Sequence, residues 1–354
     1  SADRHAALVM EAMREIDPGL RFIGMGGPEM VKSGLECVFS MDELSVMGFS
    51  GVLSRVSGIA RVYTGLKRLV DEARPDLFLP VDLPDFNMHL ARHARRRGVR
   101  VLYYIAPQAW AWRRSRATVL GRITDGLAVI FPFEEEFFRA CGVNARYVGH
   151  PLLDASRGVA VRAHEVCWPP RRVGMMPGSR REEIARILPV MTQAKRLVDA
   201  EAPGLTWHLP VAPGLDRSFV RGHTDPDVEL SDTLPEVDLA MVKSGTSSLE
   251  TALRGIPGVI CYRTSLVNYL LARLFVKVNH IGMPNIIAGR GVLPELVQGG
   301  LTPGRLSRAL LSYIGDRSLH DATSRALLEI RSRLGGRSAS CETARWACTV
   351  MGGA

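Results

Sequence analysis

Apolar residues along this chain fall into two alternating patterns. Short continuous runs, RFIGM, DLFLPV, VRVLYY, DGLAVI, RVGMM, LTWHLP, VDLAMV and GVICYR, have the character of strands buried on both faces of a parallel sheet. Between them, apolar positions recur at helical spacing, as at Ala6, Val9, Met13 and Ile16, or at Val52, Val56, Ile59, Tyr63, Leu66 and Val70. Strand and helix in alternation predict an α/β protein. A stretch of mixed composition, Ser156 to Arg171 with Pro169 and Pro170, interrupts the alternation. Two Rossmann-like domains are therefore expected, 1–155 and 170–334, facing across a cleft, with the closing helices from about 335 to 354 returning to the first. The chain opens at Ser1-Ala2-Asp3 directly on a helical pattern. A helix in such a fold follows a strand and a glycine turn, so the first domain is expected to lack its first strand.

Composition narrows the class. The six Cys are scattered without the spacing of a zinc site or a disulfide framework, which fits a reducing cytoplasmic compartment. No apolar run is long enough to span a bilayer. The formal net charge is +9, with basic clusters at Arg92–Arg100 and at Arg113, Arg114 and Arg116. Charge of this sign favours an anionic partner, whether nucleic acid, acidic lipid or phosphorylated substrate. The segment from Met47 to Val70 interleaves Arg55, Arg61, Lys67 and Arg68 with an apolar stripe, and Met47, Phe49, Val52 and Leu53 lead it. Such a helix can lie in an anionic membrane surface or pack on its own sheet.

Candidate chemistry sits at strand ends, where open parallel sheets bind ligands. VDLAMV ends in Lys243, Ser244, Gly245 and Thr246, and a helical pattern follows from Leu249. The amides of a helix start form a phosphate site, and Glu250, read in the first turn, can accept from a ribose diol. RVGMMPGSRREEI repeats the arrangement, with a helix opening at Ser179 or Arg180, and Arg180 suits a diphosphate. DLFLPV ends in Asp82, either a general base or a turn-capping residue, while Asp85 reads as the cap of the next helix. Trp110 with its Arg neighbours can serve a sugar, a lipid phosphate or nucleic acid, or form a packed lid. His89 and His93 are four apart but have no third ligand nearby, so no metal is expected. GMGGPE is not a dinucleotide fingerprint, because Glu29 stands where glycine is needed, and no P-loop motif is present.

GMGGPEM, VMGFSGVL, PVDLPDFN, YYIAPQAWAWR, GHPLLDA, PGSRREEI, SGTSSLE and MPNIIAGR, in this order, resemble the lipid-A-disaccharide synthase family, inverting glycosyltransferases of the GT-B fold. The resemblance implies transfer from UDP-2,3-diacylglucosamine to 2,3-diacylglucosamine 1-phosphate, releasing UDP and forming the β-1′,6-linked disaccharide of the Gram-negative outer membrane. It makes Asp82 the base for the acceptor 6-hydroxyl. It gives the nucleotide-sugar to Ser179, Arg180, Ser244, Gly245, Thr246, Glu250, Asn285 and Arg290. The acceptor and the membrane fall to Met47, Phe49, Val52, Leu53, Arg55, Trp110, Arg113 and Arg116. No cofactor, metal or nucleic acid is implied; the partners are the two substrates and the anionic cytoplasmic face of the inner membrane, and a homodimer stays open. Gly291 stands where the family's AGRE carries a carboxylate. Alternatives are another UDP-N-acetylglucosamine-using GT-B enzyme, a peptidoglycan glycosyltransferase or a 2-epimerase; a basic nucleic-acid-binding module; or an inactive truncated remnant.

Overall fold

The computed structural model describes residues 2–41, 43, 52–111, 114–154, 167–233, 235–266, 269–270 and 279–352, with 52–57 described as backbone only. The chain divides into two compact units, Ser1–Ala160 with Gly336–Ala354, and Val161–Gly335.

In the first unit, α1 (Ala2–Ile16), β1 (Phe22–Gly26), α2 (Pro28–Lys32) and β2 (Leu35–Ser40) are followed by α3 (Val52–Ala73), β3 (Leu77–Phe78) and α4 (Pro84–Arg96). Then come β4 (Arg100–Tyr104), α5 (Ser115–Ile123), β5 (Gly126–Val129), α6 (Pro132–Ala140) and β6 (Ala145–Tyr147). Strands β3 to β6 pair in parallel in chain order, and β1 with β2 forms a separate parallel pair. The apolar run of β5 is buried throughout, as a strand covered on both faces requires. Between the two sheets lies an apolar cavity of about 230 Å³, lined by Phe22 and Met25 from β1, Leu77 and Phe78 from β3, and Met10 and Leu66 from the helices. The run DLFLPV makes a shorter strand than its apolar character suggests, since Pro80 has no amide to donate; Val81 rejoins the sheet through a single bridge to Tyr104.

The second unit contains β7 (Arg172–Met176), α7 (Arg181–Glu201), β8 (Thr206–Pro210), α8 (Arg217–Arg221), β9 (Glu229–Ser231) and β10 (Leu239–Lys243). These lead to α9 (Thr246–Arg254), β11 (Gly258–Tyr262), α10 (Met283–Ala288), β12 (Glu295–Val297), α11 (Pro303–Gly315) and α12 (Arg317–Arg333). The strands form one parallel sheet in the order β12-β11-β10-β7-β8-β9. Chain order reverses between β7 and β10, so the carboxyl ends of these two strands mark the topological switch point.

The last helix, α13 (Ala339–Val350), belongs to the first unit. The buried carboxylate of Asp154 accepts from the Ser338 hydroxyl at 2.6 Å and the Ser340 amide at 2.8 Å, capping the start of α13. Its Trp346 enters a core with Val9 and Met13 of α1 and Leu102 and Tyr104 of β4. Among the described residues, no helix is long and apolar enough to cross a membrane.

Candidate functional site

At the carboxyl end of the β3–β6 sheet, the Asp82 amide donates to Tyr104 O at 3.1 Å, the last ladder bond before the chain turns. Asp82 (φ 53°) and Leu83 (φ 47°) are left-handed, and so is Ile105 (φ 58°) at the neighbouring strand end. Each such non-glycine residue costs about 1–2 kcal/mol of backbone strain, and strain of this kind clusters at functional sites. The Asp82 carbonyl accepts from the Tyr103 hydroxyl and from the Asn87 amide, both at 2.7 Å. The carboxylate itself is exposed, and no hydrogen bond engages it among the described residues.

Asp85 is not the cap of α4. That position belongs to Leu83, with Pro84 opening the helix, so Asp85 falls in the first turn and pairs with Arg116. Arg116 is therefore engaged inside the unit, its side chain mostly buried. Trp110 is likewise built in. Its indole N–H donates to Glu134 at 2.9 Å, and its ring meets Phe133 edge-on with centroids 5.0 Å apart, which is the packed form of this loop. Glu134, which the sequence reading did not single out, is fully buried and also accepts from the amides of Ile130 and Phe131 at the start of α6. Burial pushes its carboxyl up to about 7, against the pull of those donors. The available signal was its place three residues after the helix cap. His93 binds Asp71 at 2.7 Å. Met47, Phe49 and Arg113 lie outside the described residues, and Val52, Leu53 and Arg55 are seen only as backbone of α3.

The second unit brings two turns together at its switch point. After β7 the chain passes through Pro177, Gly178 and Ser179 to Arg180, the exposed cap residue of α7. After β10 it passes through Ser244 and Gly245 into α9. Glu183 links the turns, accepting from the Ser179 amide at 3.0 Å and pairing with Lys243 at 3.0 Å. Burial acts to raise the Glu183 carboxyl, but Lys243 and the Ser179 amide outweigh it and hold it below the usual range. Gly178 (φ 124°) is required here: a Cβ would lie 2.3 Å from the Glu183 carboxylate. Gly245 (φ 147°) likewise has a backbone that L-residues rarely adopt.

Two of the hydroxyls in this turn are used internally. Ser244 donates to Ile281 O and Ser248 to Gly245 O, each at 2.7 Å. What α9 offers a ligand is its opening amides at Thr246 and Ser247. The helix starts three residues before Leu249, so Glu250 stands one turn further along than the sequence suggests, bonded to Arg254 at 2.9 Å. Asn285 is fully buried, and its amide makes four hydrogen bonds: it donates to Leu293 O and Glu295, and accepts from the amides of Val292 and Leu293. It shapes the loop that carries Arg290, which is exposed just past the left-handed cap Gly289. Glu295, accepting from the amides of Ile281 and Gly282 at 3.0 Å, secures the same loop from β12.

Comparison with known proteins adds three findings. A family model described as lipid-A-disaccharide synthetase matches residues 1–348. The lipid-A-disaccharide synthase of Anaeromyxobacter sp. (strain K) is 39% identical over 364 residues, covering 99% of this chain and 95% of that one; the one from Syntrophus aciditrophicus is 37% identical over 365 residues with the same coverage. Among solved structures, the UDP-GlcNAc 2-epimerase from Neisseria meningitidis bound to UDP-GlcNAc aligns with a TM-score of 0.61 at 11% identity, covering 95% of each chain. The glycotransferase of kitacinnamycin aligns with a TM-score of 0.55 at 16% identity, covering 96% of this chain and 94% of that one. At such identities the structural likeness shows the fold alone, a GT-B architecture.

Proposed function

The chain belongs to the lipid-A-disaccharide synthase family, and from that premise we propose which of its residues carry out the transfer. It is a glycosyltransferase that joins UDP-2,3-diacylglucosamine to 2,3-diacylglucosamine 1-phosphate, giving the β-1′,6-linked lipid A disaccharide 1-phosphate and UDP. The family match over residues 1–348 favours this over the epimerase and nucleic-acid readings.

Asp82 is the base. Its carboxylate takes the proton of the acceptor 6-hydroxyl as that oxygen bonds to the anomeric carbon of the donor; the bond from that carbon to the UDP oxygen breaks, and the electron pair leaves with UDP. One displacement inverts the centre and needs one base. The observation that carries this assignment is the exposed carboxylate, without a hydrogen-bond partner among the described residues, on strained backbone at a strand end.

The donor is held at the switch point of the second unit. Arg180 and the opening amides of α9 at Thr246 take up the charge that develops on the diphosphate, within the turns formed by Ser179, Ser244 and Gly245. Glu250 receives the ribose, exchanging its bond to Arg254 for the diol. Arg290 faces the donor on a loop that Asn285 holds in shape. The acceptor reaches the first unit from the cytoplasmic face of the inner membrane, against which Met47, Phe49, Val52, Leu53, Arg55 and Arg113 lie. Arg116 acts through Asp85, and Trp110 through the loop it anchors.

Product formation from the two substrates in detergent micelles, with EDTA present, tests this scheme. Disaccharide and UDP are expected in equal amounts. Product that appears only when a divalent metal is restored would remove the assignment of the leaving diphosphate to Arg180 and α9.

A further inference from the structure

Asp82 and Leu83 are consecutive left-handed non-glycine residues (φ 53° and 47°), a conformation that persists only where the surroundings over-determine it. What holds it is visible at a single atom. The Tyr103 hydroxyl and the Asn87 side-chain amide both donate to the Asp82 carbonyl oxygen at 2.7 Å, and Asn87 also reaches Val81 O at 3.2 Å. A carbonyl has two lone pairs, and two side-chain donors take them. We propose that Tyr103 and Asn87 are positioning residues for the transfer step, pinning the Asp82 carbonyl inward so that its carboxylate is presented outward to the acceptor hydroxyl. The inference rests on the reading of Asp82 as the base.

The geometry supplies the link. Carbonyl carbon, amide nitrogen and Cβ are attached to the same tetrahedral Cα, so fixing the directions of the first two fixes the direction of the third. The two donors come from rigid elements on either side: Tyr103 is the buried penultimate residue of β4, and Asn87 is buried in the first turns of α4. The Asp82 amide, held by Tyr104 O, fixes a second substituent of the same Cα. Burial, followed by the charge on Asp82, drives the Tyr103 phenol upward in pKa, so it stays a donor throughout the neutral range. Among the described residues neither side chain hydrogen-bonds to the carboxylate; each acts on the backbone that bears it.

Tyr103→Phe removes one donor without changing the ring. Its kcat is expected to fall about tenfold, the effect of losing one hydrogen bond of ordinary strength in the transition state. KM for the UDP-sugar is expected to stay within about twofold, because the donor is held by the other unit, and thermal unfolding to shift by only a few degrees. Asn87→Ser, which shortens the other donor out of reach, is an independent variant expected to show the same split. The distinguishing arm is the cycle with Asp82→Asn, read at high enzyme concentration. In that background Tyr103→Phe is expected to change residual turnover by less than about twofold, since its only route to the reaction is gone. Equal losses in both backgrounds would make Tyr103 a structural residue and overturn the inference. Wild-type kcat in Tyr103→Phe and Asn87→Ser, with turnover lost in Asp82→Asn, would overturn it while leaving the base in place. Full turnover in Asp82→Asn would instead remove the reading on which it rests.

Discussion

The carboxyl of Glu134 is held in a contest between burial and hydrogen bonding, and burial wins: its pKa is raised from 4.5 to about 7. The sign of the consequence follows from proton counting. Between these two values the folded chain keeps a proton that the unfolded chain has lost, so this group makes stability fall as pH rises from about 4.5 to about 7. The shift corresponds to on the order of 3 kcal/mol. In Glu134→Gln that contribution disappears, and the difference in unfolding free energy between wild type and variant is expected to shrink steadily across this interval in denaturant titrations. Parallel curves would show that the carboxyl titrates alike in the folded and unfolded chain. Because Glu134 also holds the Trp110 N–H, the variant is expected to alter Trp110 fluorescence.

At the scale of elements, the turn into α9 depends on one glycine. Gly245 at φ 147° admits no L-residue without strain, so Gly245→Ala is expected to cost about 1–3 kcal/mol locally and to weaken UDP binding at least about tenfold by calorimetry. Unchanged UDP affinity would separate this turn from the nucleotide. The same turn shows what a sequence can and cannot convey. The run VDLAMV and the cap-forming residues after it make strand, turn and helix legible, but Thr246, Ser247 and Ser248 enter the helix themselves because Gly245 takes the cap position. Glu250 therefore falls one turn later than the apolar pattern from Leu249 predicts. Asp85 shows the same limit: Pro84 fixes the helix start, and Leu83 adopts the cap conformation that a polar residue was expected to take. Asn285 and Arg180 look alike as polar residues on loops, yet one is fully buried and internally bonded and the other exposed. Strand ends are written in the order of apolar runs; bonds between side chains far apart in the chain, such as Trp110 with Glu134, are not.

At the scale of the whole molecule, each unit keeps its own core, and the first is closed by a helix from the far end of the chain. Asp154 makes that closure. Asp154→Ala removes a buried carboxylate from the Ser338 hydroxyl and the Ser340 amide, and a loss of about 3 kcal/mol, or roughly 6–12 °C in unfolding temperature, is expected. Nearby, half-buried His5 and buried His150 have pKa values lowered by burial to about 4 and about 3. Below the ordinary value of 6.5 the unfolded chain binds protons that these neutral folded imidazoles do not, so their contribution, fully present above 6.5, is lost as pH falls toward 4. Two histidines against one Glu134 set the net slope: the protein is expected to lose stability on acidification from about 6.5 to 4.5, seen as a falling unfolding temperature.

The central claim is that a family glycosyltransferase performs its transfer through one carboxylate, presented on strained backbone at the end of a parallel sheet. Turnover and UDP affinity measured side by side in Asp82→Asn test it most directly. Wild-type UDP affinity with turnover reduced by about 10²–10⁴-fold, the range for a lost general base, is the predicted result. Wild-type turnover in that variant would contradict the account.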